Sequence, residues 1–178
     1  LVIMTTLVIV ESPAKAKKIS QLLGKDYIVR ASMGHINELA KENMGIDINN
    51  GFEPTYSVIS GKAKTLKELK DIAKGVSRII LAGDADREGE AISWHVANSL
   101  KLPVETTPRI VFHEITKTAL QNALANPGLL NMDLVNAQQA RAVLDKLVGF
   151  EISPILWKQI QPSLSAGRVQ TPLLHIIL

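Results

Sequence analysis

The chain has 178 residues, 46% of them hydrophobic and 21% charged, which is enough for one good core plus a small second unit and excludes a disordered segment. A net charge of +3 permits a polyanionic partner without demanding one, and the absence of cysteine excludes disulfides and cysteine-based zinc sites. No apolar run is long enough to span a bilayer and the opening residues are not a signal peptide, so a cytoplasmic location without membrane attachment is expected; Met4 is read as the natural start, and residues 1–3 carry no weight.

The first element is the apolar, β-branched run Leu7, Val8, Ile9 and Val10, followed by a helical pattern with Ala16, Ile19, Leu22 and Leu23 on one face. Ser12 as N-cap and Pro13 at the first helical position mark the start of that helix, and Gly24 its end. Residues 27–31 form a second strand, and residues 34–60 read as an irregular insertion. An amphipathic helix then runs through Leu66, Leu69, Ile72 and Ala73 and stops at Gly75. A strand over residues 78–82, a helix from Ala91 to Leu100 and another strand over residues 109–112 follow. Strands alternating with helices predict an α/β sandwich with a mainly parallel sheet. From Thr116 onward no strand is expected, only helical runs broken at Asn126-Pro127-Gly128, at Ser153-Pro154 and at Pro162. The predicted organisation is therefore an α/β domain over residues 1–130 and the helical start of a second domain over residues 131–178.

Asp84, Asp86, Glu88 and Glu90 fall within seven positions, directly where the strand ending at Ala82 should give way to a helix. Acidic residues at a helix start cap free N–H groups and complement the dipole, but capping does not need four of them. A calcium loop fits the first positions and fails at the twelfth, which is His95, and a strand stands where the entering helix should be. Like charges held this close require a cation, and the hard oxygens of Asp84, Asp86 and Glu88 suit magnesium better than zinc. Ligands gather outside the carboxyl ends of strands in open α/β sheets, so Glu11, at the end of the first strand, should meet the acidic turn as a fourth ligand or as an acid/base group. Lys15 lies in the first turn of the following helix, where free N–H groups can hold a phosphate, whereas Lys17 and Lys18 read as a solvated face.

The segments Glu11-Ser12-Pro13-Ala14-Lys15-Ala16-Lys17 and Asp84-Ala85-Asp86-Arg87-Glu88-Gly89-Glu90 resemble the TOPRIM domain, a Rossmann-like metal-binding fold with a mainly parallel sheet between helices. Gly34-His35-Ile36, Val135-Asn136-Ala137-Gln138-Gln139-Ala140-Arg141 and Ser165-Ala166-Gly167-Arg168-Val169-Gln170-Thr171-Pro172 narrow the resemblance to the bacterial DNA topoisomerase I family of type IA enzymes. The last segment is the most specific, and the resemblance extends from Thr5 to the end of the chain. Within it, Gly83 departs from the Thr that many relatives carry before the first Asp.

In the helical part, Leu134, Ala137, Leu144, Leu147 and Val148 form an apolar side, while Gln138, Arg141 and Asp145 share a polar stripe. An Arg141 to Asp145 pair within the helix is the plain reading of that stripe. The resemblance implies that Gln138, Arg141 and Asp145 also place a DNA strand, with Ser165, Gly167, Arg168 and Gln170 contacting its backbone or bases. Trp157 is a stacking candidate and equally a core candidate, and His35 is a phosphate-contact candidate. The resemblance also implies that Arg109 faces the DNA channel, while His95, His113 and His175 fit no metal spacing and read as structural.

The resemblance further implies ATP-independent relaxation of negatively supercoiled DNA by transient cleavage of one strand through a tyrosine, with Mg2+ as cofactor. Single-stranded DNA and the remaining domains of the same polypeptide would be the partners, and the bacterial nucleoid the location. Carried onto this sequence, Asp84, Asp86, Glu88 and Glu11 hold the metal, Glu11 exchanges a proton with the 3′ oxygen and Lys15 steadies the scissile phosphate. Neither Tyr27 nor Tyr56 matches the family's nucleophile, so the chain reads as an N-terminal fragment that does not cleave DNA alone. A stand-alone TOPRIM nuclease and a non-catalytic DNA-binding module are the alternatives.

Overall fold

Along β1 (Thr6–Val10) every apolar side chain from Leu7 to Val10 is buried, as expected of a strand covered on both faces. The computed structural model describes residues 5–177. At the end of β1 the Ser12 hydroxyl accepts the Lys15 N–H and starts α1 (Pro13–Leu23), which ends at Gly24 in a left-handed conformation with φ +80° that favours glycine. The chain returns as β2 (Tyr27–Ala31), parallel to β1 with Val8 opposite Val29.

The insertion carries more structure than its composition predicts. It holds β3 (Asn37–Leu39), a 3-10 turn over Glu42–Gly45, β4 (Ile46–Asp47), β5 (Glu53–Pro54) and β6 (Tyr56–Val58). β3 pairs with β6, and β4 runs antiparallel to β5, in strands too short to leave a periodic signal. After α2 (Ala63–Ala73), β7 (Arg78–Leu81) joins the other edge of β1 in parallel, giving the sheet order β2-β1-β7, and α3 (Arg87–Ser99) follows.

Residues 109–112 do not form the predicted strand. Arg109 makes only isolated bridges, to Leu81 and to Gly128. Its N–H and carbonyl are both taken by Gly128, and Pro108 before it has no N–H to offer a ladder. α4 (Lys117–Ala125), capped by Thr116, completes this part of the chain.

Alternation along the strands divides the core in two. Leu7, Ile9 and Leu81 pack with Leu66 and Leu69 of α2 and Val96 and Ala97 of α3. Val8, Val10, Val29 and Ile80 pack with Ile19 of α1 and Leu120 of α4. Each fully buried aliphatic side chain contributes roughly 1.5–3 kcal/mol relative to exposure.

The chain separates into two units, Leu1–Glu38 with Ser57–Ala137 and Leu39–Tyr56 with Gln138–Leu178. Most of the insertion belongs to the second unit, together with the chain from Gln138 onward. Leu39–Tyr56 closes on itself through β4 and β5 and the Thr55 N–H to Gly45 carbonyl bond. α5 (Met132–Gln159) runs through Ser153 and Pro154 without the predicted break. Pro154 removes one N–H, and Phe150, whose carbonyl it cannot serve, stands exposed to water. The apolar side of α5 also differs from expectation: Val143 is buried, whereas Leu144 is 46% exposed. α6 (Gln170–Ile177) ends the described chain, and Phe150, Ile155, Ile160, Leu174 and Ile176 are exposed along α5 and beyond it. No helix among the described residues is long and apolar enough to cross a membrane.

Candidate active site

The parallel register sets Ile9 opposite Leu81, and the Ala82 N–H bonds to the Ile9 carbonyl at 2.8 Å, so the carboxyl ends of β1 and β7 finish side by side. Glu11 leaves one strand there and Asp84 the other. Between their carboxylates lies Lys15, one turn into α1, whose Nζ donates to Glu11 Oε1 and to Asp84 Oδ1. Glu11 and the acidic turn, expected to meet at this edge, are joined here through Lys15, for which the sequence predicts only a phosphate contact.

The two carboxyl groups are not equivalent. Burial, and then the hydrogen bond and charge of Asp84, push the Glu11 pKa up, outweighing the opposing pull of Lys15. Asp84 is held below the usual carboxylate range by its bond to Glu11 and by Lys15 and Arg109, against a smaller effect of burial. Burial alone would lower the Lys15 pKa, but its bonds to Asp84 and Glu11 leave it raised. The two neighbouring carboxyl groups are thus shifted in opposite directions, Glu11 up and Asp84 down.

The other two predicted ligands are engaged elsewhere. Asp86 is the N-cap of α3, its Oδ1 accepting the Gly89 N–H at 2.7 Å. Glu88 Oε2 lies 3.3 Å from His35 Nε2. Among the described residues no three His, Asp or Glu side chains close on one point as metal ligands would. The expected four-ligand cluster is therefore not assembled here, because capping and the histidine draw Asp86 and Glu88 aside. Glu11 and Asp84 nevertheless grip one compact cation, the Lys15 ammonium, with hard oxygens. That donor chemistry fits a small hard dication.

His35 follows Gly34, whose φ of +81° lets the chain fold back so that its N–H reaches the Glu11 carbonyl at 2.7 Å. Its ring meets that of the buried His95 edge-on at 6.4 Å, and His95 meets Trp94 at 4.9 Å. Burial, aided by the charge of His35, lowers the His95 pKa to about 4, so it is a neutral packing group at physiological pH.

Arg109 corrects an expectation. It does not face a channel: it is 2% exposed, and its guanidinium pairs with Glu90 at 2.9 Å. Its remaining donors reach the carbonyls of Gly83 at 3.0 Å, Asp84 at 2.8 Å and Ile110. Glu90 uses its other oxygen to accept the Asn131 N–H at 3.1 Å. Arg109 and Glu90 therefore brace the turn that presents Asp84. Sequence reading missed this role for Glu90, although its place on the buried stripe with Ser93 and Ala97 carried the signal.

In the second unit, Asp145 joins two arginines. Arg168 Nε donates to Oδ1 at 2.7 Å, and Arg141 Nε lies 3.5 Å from Oδ2. The Arg168 bond holds the Asp145 pKa below the usual range. Gln138 is partly buried one turn before Arg141 on α5. Trp157 is 49% exposed and donates its indole N–H to the Leu164 carbonyl, which rules out the core reading. Ser165 is exposed, and beside it the buried Ala166 N–H bonds to the Ser153 hydroxyl at 3.0 Å. Gly167 starts the turn into α6, where Gln170 is exposed, and a Cβ at Gly167 would stand 3.2 Å from Gln170 Oε1.

A parallel sheet between helices, with acidic residues and a lysine at its carboxyl edge, is a Rossmann-like arrangement. The chain belongs to the Toprim family, whose domain model matches residues 6–115. The DNA topoisomerase family model matches residues 129–178. Among solved structures, full-length topoisomerase I from Thermotoga maritima is similar, with a TM-score of 0.88 and 47% identity. The match covers 96% of this chain and 29% of that protein.

Proposed function

We propose that this chain is the metal-binding and strand-placing N-terminal part of a type IA DNA topoisomerase, whose full polypeptide relaxes negatively supercoiled DNA without ATP. The observation that carries the reading is the contact of Glu11, Lys15 and Asp84 at the carboxyl edge of the sheet, in a chain matched in succession by the Toprim and DNA topoisomerase families. Glu11 and Asp84 would hold Mg2+, with Asp86 and Glu88 as further oxygen donors of the same turn. Bound there, the ion would supply positive charge to stabilise a DNA phosphate. Glu11 has a second role when its carboxylate is not occupied by the ion: it gives a proton to the departing 3′ oxygen on cleavage and takes it back on resealing. Lys15 steadies the scissile phosphate at the N-terminus of α1. Arg141 and Arg168 bind the backbone of a single-stranded segment, their shared partner Asp145 fixing the direction of each guanidinium.

The nucleophile is assigned to neither tyrosine of this chain. Tyr27 is partly buried at the start of β2, and burial raises the Tyr56 pKa, which disfavours the phenolate. The isolated chain therefore binds metal and DNA without cutting. The apolar surface of Phe150, Ile155, Ile160, Leu174 and Ile176 is assigned to the remaining domains of the polypeptide.

The test combines two assays. With Mg2+ and an end-labelled single-stranded oligonucleotide, the 178-residue chain should bind and yield no covalent adduct. Arg168→Ala should lessen the salt dependence of that binding by roughly 0.7 in the log–log slope, as expected for one lost phosphate contact. Products with free 5′ phosphates would favour a TOPRIM nuclease. The full polypeptide should relax negatively supercoiled plasmid, and Glu11→Gln should abolish this; an unaffected Glu11→Gln enzyme would remove Glu11 from the chemistry.

A further inference from the structure

We propose that the Lys15 ammonium competes with the divalent cation for Glu11 and Asp84, so that metal binding and the release of Lys15 toward phosphate are one coupled event. This rests on the metal-binding reading above and adds to it a rule of exclusion.

Lys15 Nζ is bonded to one oxygen of each carboxylate, Glu11 Oε1 and Asp84 Oδ1, in the place where a shared cation would sit. An ammonium is a compact, strongly hydrated point charge, the nearest a side chain comes to a hard metal ion. A dication on the same oxygens would put like charges in direct contact, closer than any solvent layer could separate them, so joint occupancy is disfavoured. The pair therefore holds one cation or the other.

The geometry also gives Lys15 somewhere to go. Its backbone is fixed by the Ser12 cap in the first turn of α1, but its flexible side chain is 24% exposed and has a path to water. Displaced from the carboxylates, it remains at the N-terminal end of the helix, where an anion is favoured. Lys15 is thus masked while the carboxylates hold it and becomes a phosphate ligand once the metal takes them. A cation that must displace a resident group binds with an apparent affinity reduced by the fraction of sites left open, and removing the resident group recovers it.

The test is Mn2+ binding to the 178-residue chain, followed by electron paramagnetic resonance, with Asp84→Asn as reference. Lys15→Gln should bind Mn2+ about tenfold more tightly than wild type, and Lys15→Arg, which keeps a cation at the position, should lose most of that gain. In a second readout, mass spectrometry after brief amine labelling should find Lys15 more reactive when Mn2+ is saturating, with the exposed Lys17 and Lys18 unchanged as internal references. Equal or weaker Mn2+ binding by Lys15→Gln, or Lys15 labelling indifferent to Mn2+, overturns the competition while leaving the metal site standing. Asp84→Asn binding Mn2+ as tightly as wild type would instead overturn the metal reading, and the competition with it.

Discussion

Arg109 and Glu90 form an ion pair inside the first unit, Nη2 to Oε1 at 2.9 Å, with side-chain exposures of 1% and 5%. Charges so far from water are tolerated because nearly every polar atom has a partner: Arg109 serves three carbonyls and Glu90 a backbone N–H. The bridged carbonyls include those of Gly83 and Asp84, so the pair ties a stability element to the position of a proposed ligand. Glu90→Ala should cost about 3–5 kcal/mol, since it strands a buried guanidinium. The double change Glu90→Leu with Arg109→Met should cost clearly less than the sum of the single ones. Urea denaturation measures both, and a single-variant loss under about 1 kcal/mol would mean that water reaches the site.

Asp86 and Asp84 stand two residues apart and should fail differently. Asp86 caps α3 through the Gly89 N–H, so Asp86→Ala should lose about 1 kcal/mol of stability, while Asp86→Asn keeps an acceptor and most of that stability. Asp84→Asn removes a charge that Lys15 and Glu11 share and should leave stability nearly unchanged while weakening Mn2+ binding. Thermal melts set beside metal titrations separate the two. A strong loss of stability in Asp84→Asn would make Asp84 structural instead.

Much of this arrangement was legible in the chain because it depends on local rules. Ser12, Pro13 and Gly24 delimit α1 through capping and φ preferences, and the apolar run of β1 required cover on both faces. The carboxyl-edge rule then brought Glu11 to the acidic turn. What escaped depends on non-local partners. Arg109 looks the same in sequence whether it faces solvent or a buried Glu90, nineteen positions away. The continuation of α5 through Pro154 likewise depends on surroundings, including the Ser153 hydroxyl held by the Ala166 N–H. The two-residue strands β4 and β5 are shorter than any period by which they could be recognised.

His95 should give stability a defined pH dependence. Its folded pKa of about 4 lies below the ordinary histidine value of 6.5, so between these limits the unfolded chain takes up a proton that the folded chain refuses. Stability is therefore unaffected by this group above pH 6.5 and falls as the pH drops toward 4. Between pH 7 and pH 5 the loss should be about 2 kcal/mol. The raised Glu11 pKa acts in the opposite sense at the acidic end of this range, since the folded state there holds its proton more tightly. His95→Gln has no titrating ring and should flatten the slope by that amount, although losing the contacts with His35 and Trp94 lowers its stability at every pH. Parallel slopes for wild type and variant would show that His95 exchanges its proton freely in the folded state.

Gly89 is the position where the acidic turn has least room. A Cβ there would stand 2.3 Å from the Asp84 carbonyl oxygen and 2.6 Å from the Asp84 nitrogen, both backbone atoms that cannot swing aside. At Gly83 the nearest atoms are the Gly89 carbonyl at 2.9 Å and the Ser93 hydroxyl at 3.0 Å, of which the hydroxyl can rotate. Alanine at an ordinary helical glycine would stabilise by up to about 1 kcal/mol, but here overpacking of about 1–3 kcal/mol outweighs it. Gly89→Ala should therefore destabilise more than Gly83→Ala. Because the atoms it displaces belong to Asp84, it should also weaken Mn2+ binding beyond what a core variant of equal stability loss does. Gly89→Ala with undiminished Mn2+ affinity would separate the packing of this turn from its proposed role in holding the metal.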